Sequence, residues 1–255
     1  MIRLLRIALM FYTRIPAGKN LPGDEQDLNR ATGFLPGIGL IVGGLSAGAF
    51  VVSSLLLPHG PSVVIALIAG VLATGAFHED GFADTCDGLG GGWSVSDRLR
   101  IMKDSRVGSY ALTGLILLFL LKYALLSSLA PMLLPFSLMS SHIAARLLPL
   151  MLIRQLPYVR VDELSKAKPV SKGISPLILM AGCFSAAVMV AGLYLVFRPG
   201  NPWLILIPAL PLAVSPIIAA YYRRMLGGYT GDLLGAAEQL GEVAILAAIA
   251  AMAAL

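Results

Sequence analysis

A chain of 255 residues is long enough for one or two water-soluble domains, but 57% hydrophobic residues against 13% charged ones exclude that class. An average soluble domain carries about twice that charged fraction, and a water-facing surface needs it. The formal net charge of +5 does not mark a nucleic-acid partner either: the basic residues lie between apolar runs and form no stripe interleaved with aromatics.

In chain order, Met1–Tyr12 places Arg3 and Arg6 beside a short apolar stretch, with no small-residue cleavage pattern before Arg14-Ile15-Pro16. It is expected to be an interfacial amphipathic helix and not a cleaved leader. Apolar runs follow at 34–57, 61–77, 108–130, 132–153, 174–197, 202–221 and 233–255. Each is close to the roughly 20 residues that cross a bilayer as a helix. The expected fold is therefore all-α, a polytopic integral membrane helical bundle of about seven transmembrane helices, within a range of six to eight. No repeat, low-complexity tract or soluble domain interrupts it, so 1–255 reads as one membrane domain, with active-site elements at 78–107 and 222–242. Cys86, in a polar loop, and Cys183, inside an apolar run, imply no disulfide.

The connections alternate in charge. The short ones near 58–61, 131 and 198–202 hold one Lys or Arg between them, whereas the N-terminal segment, 78–107, 154–173 and 222–232 hold sixteen of the nineteen. Positive charge marks the cytoplasmic side, which puts the N-terminus and the 78–107 loop inside and the C-terminus outside, and requires an odd number of spans. Lys122 and Arg146 fall within spans, with His142 one turn before Arg146. Lys122 is expected to snorkel or to bond a neighbouring helix. Arg146 either does the same or lines a polar cavity that binds an anion.

The chemistry concentrates in Phe77-His78-Glu79-Asp80-Gly81-Phe82-Ala83-Asp84-Thr85-Cys86-Asp87-Gly88, followed by a glycine cluster. On a helix, Asp80, Asp84 and Asp87 share one face at i, i+4, i+7. Like charges this close repel unless a cation sits between them, and oxygen-only ligands suit a hard divalent ion such as Mg2+. His78 reads either as a structural residue at a helix end or as a base. Lys103-Asp104-Ser105-Arg106-Val107-Gly108-Ser109 opens the third span with two cations, a hydroxyl and a helix N-terminus, the parts of a phosphate site, although a positive-inside anchor has the same composition. In the final span Glu238 and Glu242 stand one turn apart in apolar surroundings, which marks function or pairing with a buried cation such as Arg146.

With these residues assembled, the chain resembles the cobalamin synthase family, the adenosylcobinamide-GDP ribazoletransferases, over nearly its whole length. The resemblance is carried by Phe11-Tyr12-Thr13-Arg14-Ile15-Pro16, by Phe34-Leu35-Pro36-Gly37-Ile38-Gly39, by His78–Gly92, by Lys103–Gly108 and by Gly227–Glu242. It implies transfer of α-ribazole, or its 5′-phosphate, to adenosylcobinamide-GDP with release of GMP, in a magnesium-dependent step at the cytoplasmic face of the inner membrane. Membrane lipid is an expected partner, nucleic acid is not, and a second copy of the chain is an admissible one. Under this reading Glu79, Asp80, Asp84, Asp87, Glu238 and Glu242 are the expected metal ligands, and Asp84, His78, Lys103 and Arg106 the catalytic groups. Arg146, Lys103, Arg106, Gly228, Thr230 and Asp232 are the expected substrate contacts.

Two other classes compete. A CDP-alcohol phosphotransferase would place an Ala-Arg pair shortly after its first Asp-Gly, where this chain has Phe82-Ala83-Asp84 after Asp80-Gly81 and Leu89-Gly90-Gly91 after Asp87-Gly88. A transporter would place its acidic groups near mid-membrane, where only Glu238, Glu242, His142, Arg146 and Lys122 are available.

Overall fold

The computed structural model describes residues 1–18, 25–159 and 173–254. Within them the chain is helical except for loops and one isolated bridge between Tyr158 and Tyr229. The helices are α1 (Ile2–Tyr12), α2 (Glu25–Ala31), α3 (Leu35–Ser53), α4 (His59–Thr74), α5 (Phe77–Gly91) and α6 (Val95–Ile101), then α7 (Ser109–Ser127), α8 (Leu134–Ala145), α9 (Leu147–Gln155), α10 (Pro176–Phe197), α11 (Ala209–Leu226) and α12 (Gly231–Ala253). Their starts follow local chemistry. Proline occupies the first turn of α3, α8 and α10, where its missing N–H costs nothing, and the Ser94, Ser175 and Thr230 side chains cap α6, α10 and α12.

Five stretches are long and apolar enough to cross a membrane: Glu25–Ser53, Ser109–Ser127, Pro131–Gln155, Pro176–Phe197 and Gly231–Ala253. The pair α4 and α5, bent by 90°, makes a sixth if it is one broken span. The run expected at 202–221 resolves into a short 3-10 turn, Pro202–Leu206, and α11, which contains Pro216 and ends in Arg223 and Arg224 and does not join that set. The protein is thus an all-α polytopic membrane bundle. Most of the basic segment at 154–173 lies outside the described residues.

Pro131–Gln155 and α12 form the interior, 89% and 67% buried over their apolar windows, while α7 and α10, at 22% and 17%, face outward. Lipid is as apolar as leucine, so helices associate here through close backbone approach and polar contacts. The α3–α8 contact shows the first device: a methyl at Gly39 or Gly43 would collide with the backbone of His142 or Met139. The α4–α5 bend is made by two consecutive left-handed residues, Gly75 (φ 68°) and Ala76 (φ 58°). The first is a common helix stop; the second is costly for a residue with a Cβ and is held in place by its surroundings. The Arg14 amide donates to the Ala73 carbonyl at 2.8 Å across the same corner.

Candidate active site

Because of that corner, the acidic segment is a helix folded back against the bundle and not an open loop. α5 packs on α12 and α7, and two glycines permit it. A Cβ at Gly81 would meet the Asp232 backbone at 3.0 Å, and one at Gly235 would meet the His78 carbonyl at 3.1 Å. The first turn of α12 therefore lies directly on the Asp80–Asp84 turn of α5. Asp80 is exposed, and Asp84 and Asp232 are half-buried.

Asp87 behaves differently from its two neighbours. Its carboxylate accepts from the Gly108 amide at 2.7 Å and the Ala111 amide at 2.9 Å, so it caps α7 from another helix. The helix N-terminus expected to receive phosphate has two of its amides filled by this contact. Asp87→Ala is expected to destabilise the protein by about 1 kcal/mol, the usual worth of a helix cap, read as a lower Tm in detergent. An unchanged Tm would mean that water caps α7 equally well. Arg106, strongly exposed, donates to both oxygens of Asp104, from Nε at 3.0 Å and Nη2 at 2.6 Å. These bonds hold the Asp104 carboxyl down at about 2, so the pair is fully ionised at neutral pH. Lys103 is also exposed.

Behind α5 is a buried polar network. Glu238 Oε2 lies 2.7 Å from His78 Nδ1, and Oε1 lies 2.9 Å from Arg146 Nη1. Glu242 takes Lys122 Nζ at 2.5 Å and contacts His142, and Lys122 also donates to Gln239 Oε1 at 2.6 Å. Gln239 Nε2 in turn donates to Glu79 Oε1 at 3.2 Å. Lys122 therefore bonds a neighbouring helix and does not snorkel. Arg146 pairs with Glu238, the first of its two expected behaviours, and also lines a cavity, whose other walls are mostly apolar. Three carboxylates here face one arginine and one lysine. His142, Glu238 and Glu242 also bring ligand atoms within 4.8 Å of one another, the one such group among the described residues that could hold a metal ion.

Gly228, Thr230 and Tyr229 serve the turn before α12. The Thr230 hydroxyl accepts from the Leu233 amide at 3.2 Å, Gly228 leaves room for the Pro157 carbonyl, and Tyr229 is fully buried with its amide donating to that carbonyl at 2.9 Å. Neither Gly228 nor Thr230 lines a cavity among those found beside α5.

A cavity of about 50 Å³ lies against the first turn of α5. Phe11, Tyr12, Phe77 and Ile153 give it apolar walls, and His78 and Arg146 give it a polar one. Phe77 meets Phe11 and Tyr12 edge-to-face at ring-centroid distances of 5.6 and 6.1 Å. Burial pushes the Tyr12 phenol up to about 12, so it stays neutral, with its oxygen 3.3 Å from the Thr32 hydroxyl. Sequence reasoning did not single out Phe11, Phe77, Tyr12 or Gln239 as site residues. The signals available were the place of Phe11, Tyr12 and Phe77 within the quoted motifs and a glutamine set between two glutamates in an apolar span.

The molecule is thus an all-α polytopic membrane bundle in which an acidic helix is backed by buried ion pairs and flanked by an aromatic-lined cavity. The chain matches the family described as cobalamin-5-phosphate synthase over residues 4–250. It is 43% identical over 247 residues to an adenosylcobinamide-GDP ribazoletransferase of Shewanella baltica (strain OS155 / ATCC BAA-1091), covering 95% of this chain and 91% of that one. An adenosylcobinamide-GDP ribazoletransferase of Shewanella oneidensis is 41% identical with the same coverage. This chain belongs to that family. No solved structure matches it.

Proposed function

We infer that the chain transfers α-ribazole, or its 5′-phosphate, to adenosylcobinamide-GDP, releasing GMP and forming adenosylcobalamin or its 5′-phosphate. Relatives bearing that activity in their names match it along nearly their full length. The structural observation that best supports the reading is the Gly81 contact, which seats the Asp232 backbone of α12 against the turn of α5 that carries Asp80 and Asp84.

Asp80 and Asp84 on α5 and Asp232 on the turn of α12 packed against them would supply the oxygen ligands for Mg2+, with Glu79 behind them. Bound there, the ion would neutralise diphosphate charge, the main demand of phosphoryl transfer. Glu238 and Glu242 are already matched by Arg146 and Lys122, and a hard divalent ion gains little from the His142 nitrogen beside them. In the reaction the 3′ hydroxyl of the ribazole ribose forms a bond to the phosphorus nearer the corrinoid, and the bond from that phosphorus to GMP breaks. The hydroxyl proton passes to Asp84 or to His78, whose ring is oriented by Glu238. Lys103 and Arg106 are near enough in sequence to α7 and exposed enough to meet the departing phosphate, Arg106 by exchanging Asp104 for it.

Four segments meet at this end of the bundle. Arg14 is bonded to the end of α4, Arg98 Nη1 donates to the Met225 carbonyl at 2.7 Å, Arg223 donates to the Gln155 carbonyl at 3.0 Å, and residues 157–159 pair with Tyr229. All four are basic segments, so the acidic turn of α5 faces the cytoplasm of the inner membrane. Counting α4 with α5 as one span and α11 as another gives seven crossings and an external C-terminus.

Purified protein in lipid, supplied with adenosylcobinamide-GDP and α-ribazole, is expected to release GMP and form cobalamin only when magnesium is present. No product from folded protein would reject the transferase reading. Full turnover in chelator would reject the ion.

A further inference from the structure

We propose that the cavity between α1, α5, α9 and α12 is the subsite for the aromatic base of the attacking nucleoside, an inference that rests on the transferase reading above. Its chemistry suits a flat heterocycle. Phe11, Tyr12 and Phe77 present ring edges and faces, and aromatic groups gain from such offset or edge contacts beyond their area. The polar wall offers one unused buried donor: Arg146, 1% exposed, has no hydrogen-bond partner for its Nε among the described residues. A ring nitrogen of a base can accept from it.

A phosphate is the less suitable occupant. The Arg146 charge is already matched by Glu238 at 2.9 Å, so a dianion would enter apolar walls with no free cation to meet it. The cavity's 50 Å³ holds only a few waters at about 10–15 Å³ each, so a fused aromatic base enters by parting the side chains of the wall. Position also fits: Gly231 and Gly235, in the wall, belong to the turn of α12 that carries Asp232, and Phe77 to the turn of α5 that carries Asp80, so a base seated here has its ribose toward these carboxylates. The cavity walls would then decide which bases are accepted.

Ile153 is in the wall and has no polar role, which makes it the position to vary. Ile153→Phe fills the cavity and is expected to raise KM for α-ribazole by about tenfold or more while KM for adenosylcobinamide-GDP stays within about twofold. Ile153→Ala enlarges it and is expected to shift kcat/KM toward ribosides with bulkier bases by about fivefold. Both KM values moving together, or an unchanged base preference in Ile153→Ala, would overturn the proposal. Equilibrium dialysis of radiolabelled α-ribazole alone tests the pocket without turnover. Binding by the parent protein that Ile153→Phe loses supports the subsite, even if the reaction assay fails. No binding by the parent protein, or undiminished binding by folded Ile153→Phe, refutes it, even if the assay succeeds.

Discussion

Asp84→Asn is expected to lower kcat by about a thousandfold and to remove its response to magnesium, because catalysis of phosphoryl transfer consists largely of positioning and charge neutralisation. The substitution keeps the shape of the side chain, and Asn remains compatible with the middle of α5, so a folded protein should result. Asp84 lies one turn beyond Asp80 and next to Gly81, which seats the start of α12 on this turn. Asp87→Asn should lose far less, since the Asp87 oxygens are occupied by the Gly108 and Ala111 amides and an amide oxygen still accepts one of those bonds. Steady-state kinetics across a magnesium titration separate the two. Equal losses in both variants would return Asp87 to the ligand set, and full magnesium-dependent turnover by Asp84→Asn would remove Asp84 from it.

The distinction between these aspartates was not available from their spacing. At i, i+4, i+7 they are equivalent on a helical wheel, and only the fold of 88–108 brings the head of α7 onto Asp87. The apolar runs were legible because a lipid-facing helix must be apolar continuously, as outward-facing α7 and α10 are. The 61–77 run was less so. Gly75 is a readable helix stop, but the 90° turn depends on Ala76 adopting a left-handed conformation that its sequence disfavours, within a corner held by the Arg14 amide. For the same reason the acidic segment, expected in a cytoplasmic loop, reaches back until Glu79 meets Gln239.

The buried charges were legible as unusual and not as pairs. Glu238, Glu242, Arg146 and Lys122 each stand out in an apolar run, since ionised groups in a membrane interior require partners. Lys122 and Glu242 are 120 residues apart, and Lys122 and Gln239 are 117 apart, so nothing local joins them. A residue such as Gln239, neutral and unremarkable in a list, is identified only when its oxygen is seen on Lys122 and its nitrogen on Glu79.

That pairing predicts a large effect on stability. Glu242→Leu leaves the Lys122 ammonium, 4% exposed, with only the Gln239 oxygen, and breaking a buried ion pair from one side costs about 3–5 kcal/mol. Arg146 keeps Glu238 at 2.9 Å and loses only its longer contact with Glu242 at 3.7 Å, so it should share little of the loss. Lys122→Met combined with Glu242→Leu removes both charges, and the pair of changes should cost less than the sum of the single ones by about 1–3 kcal/mol. Thermal unfolding in detergent, with the cycle completed by Lys122→Met alone, measures the coupling; strict additivity would show that the two side chains do not stabilise each other. The same proteins locate the metal. If Mg2+ binds between α5 and α12, it should raise the Tm of both the parent protein and Glu242→Leu, and fail to do so for Asp84→Asn. The opposite pattern would place the ion in the buried cluster of His142, Glu238 and Glu242, with Lys122 and Arg146 as its competitors.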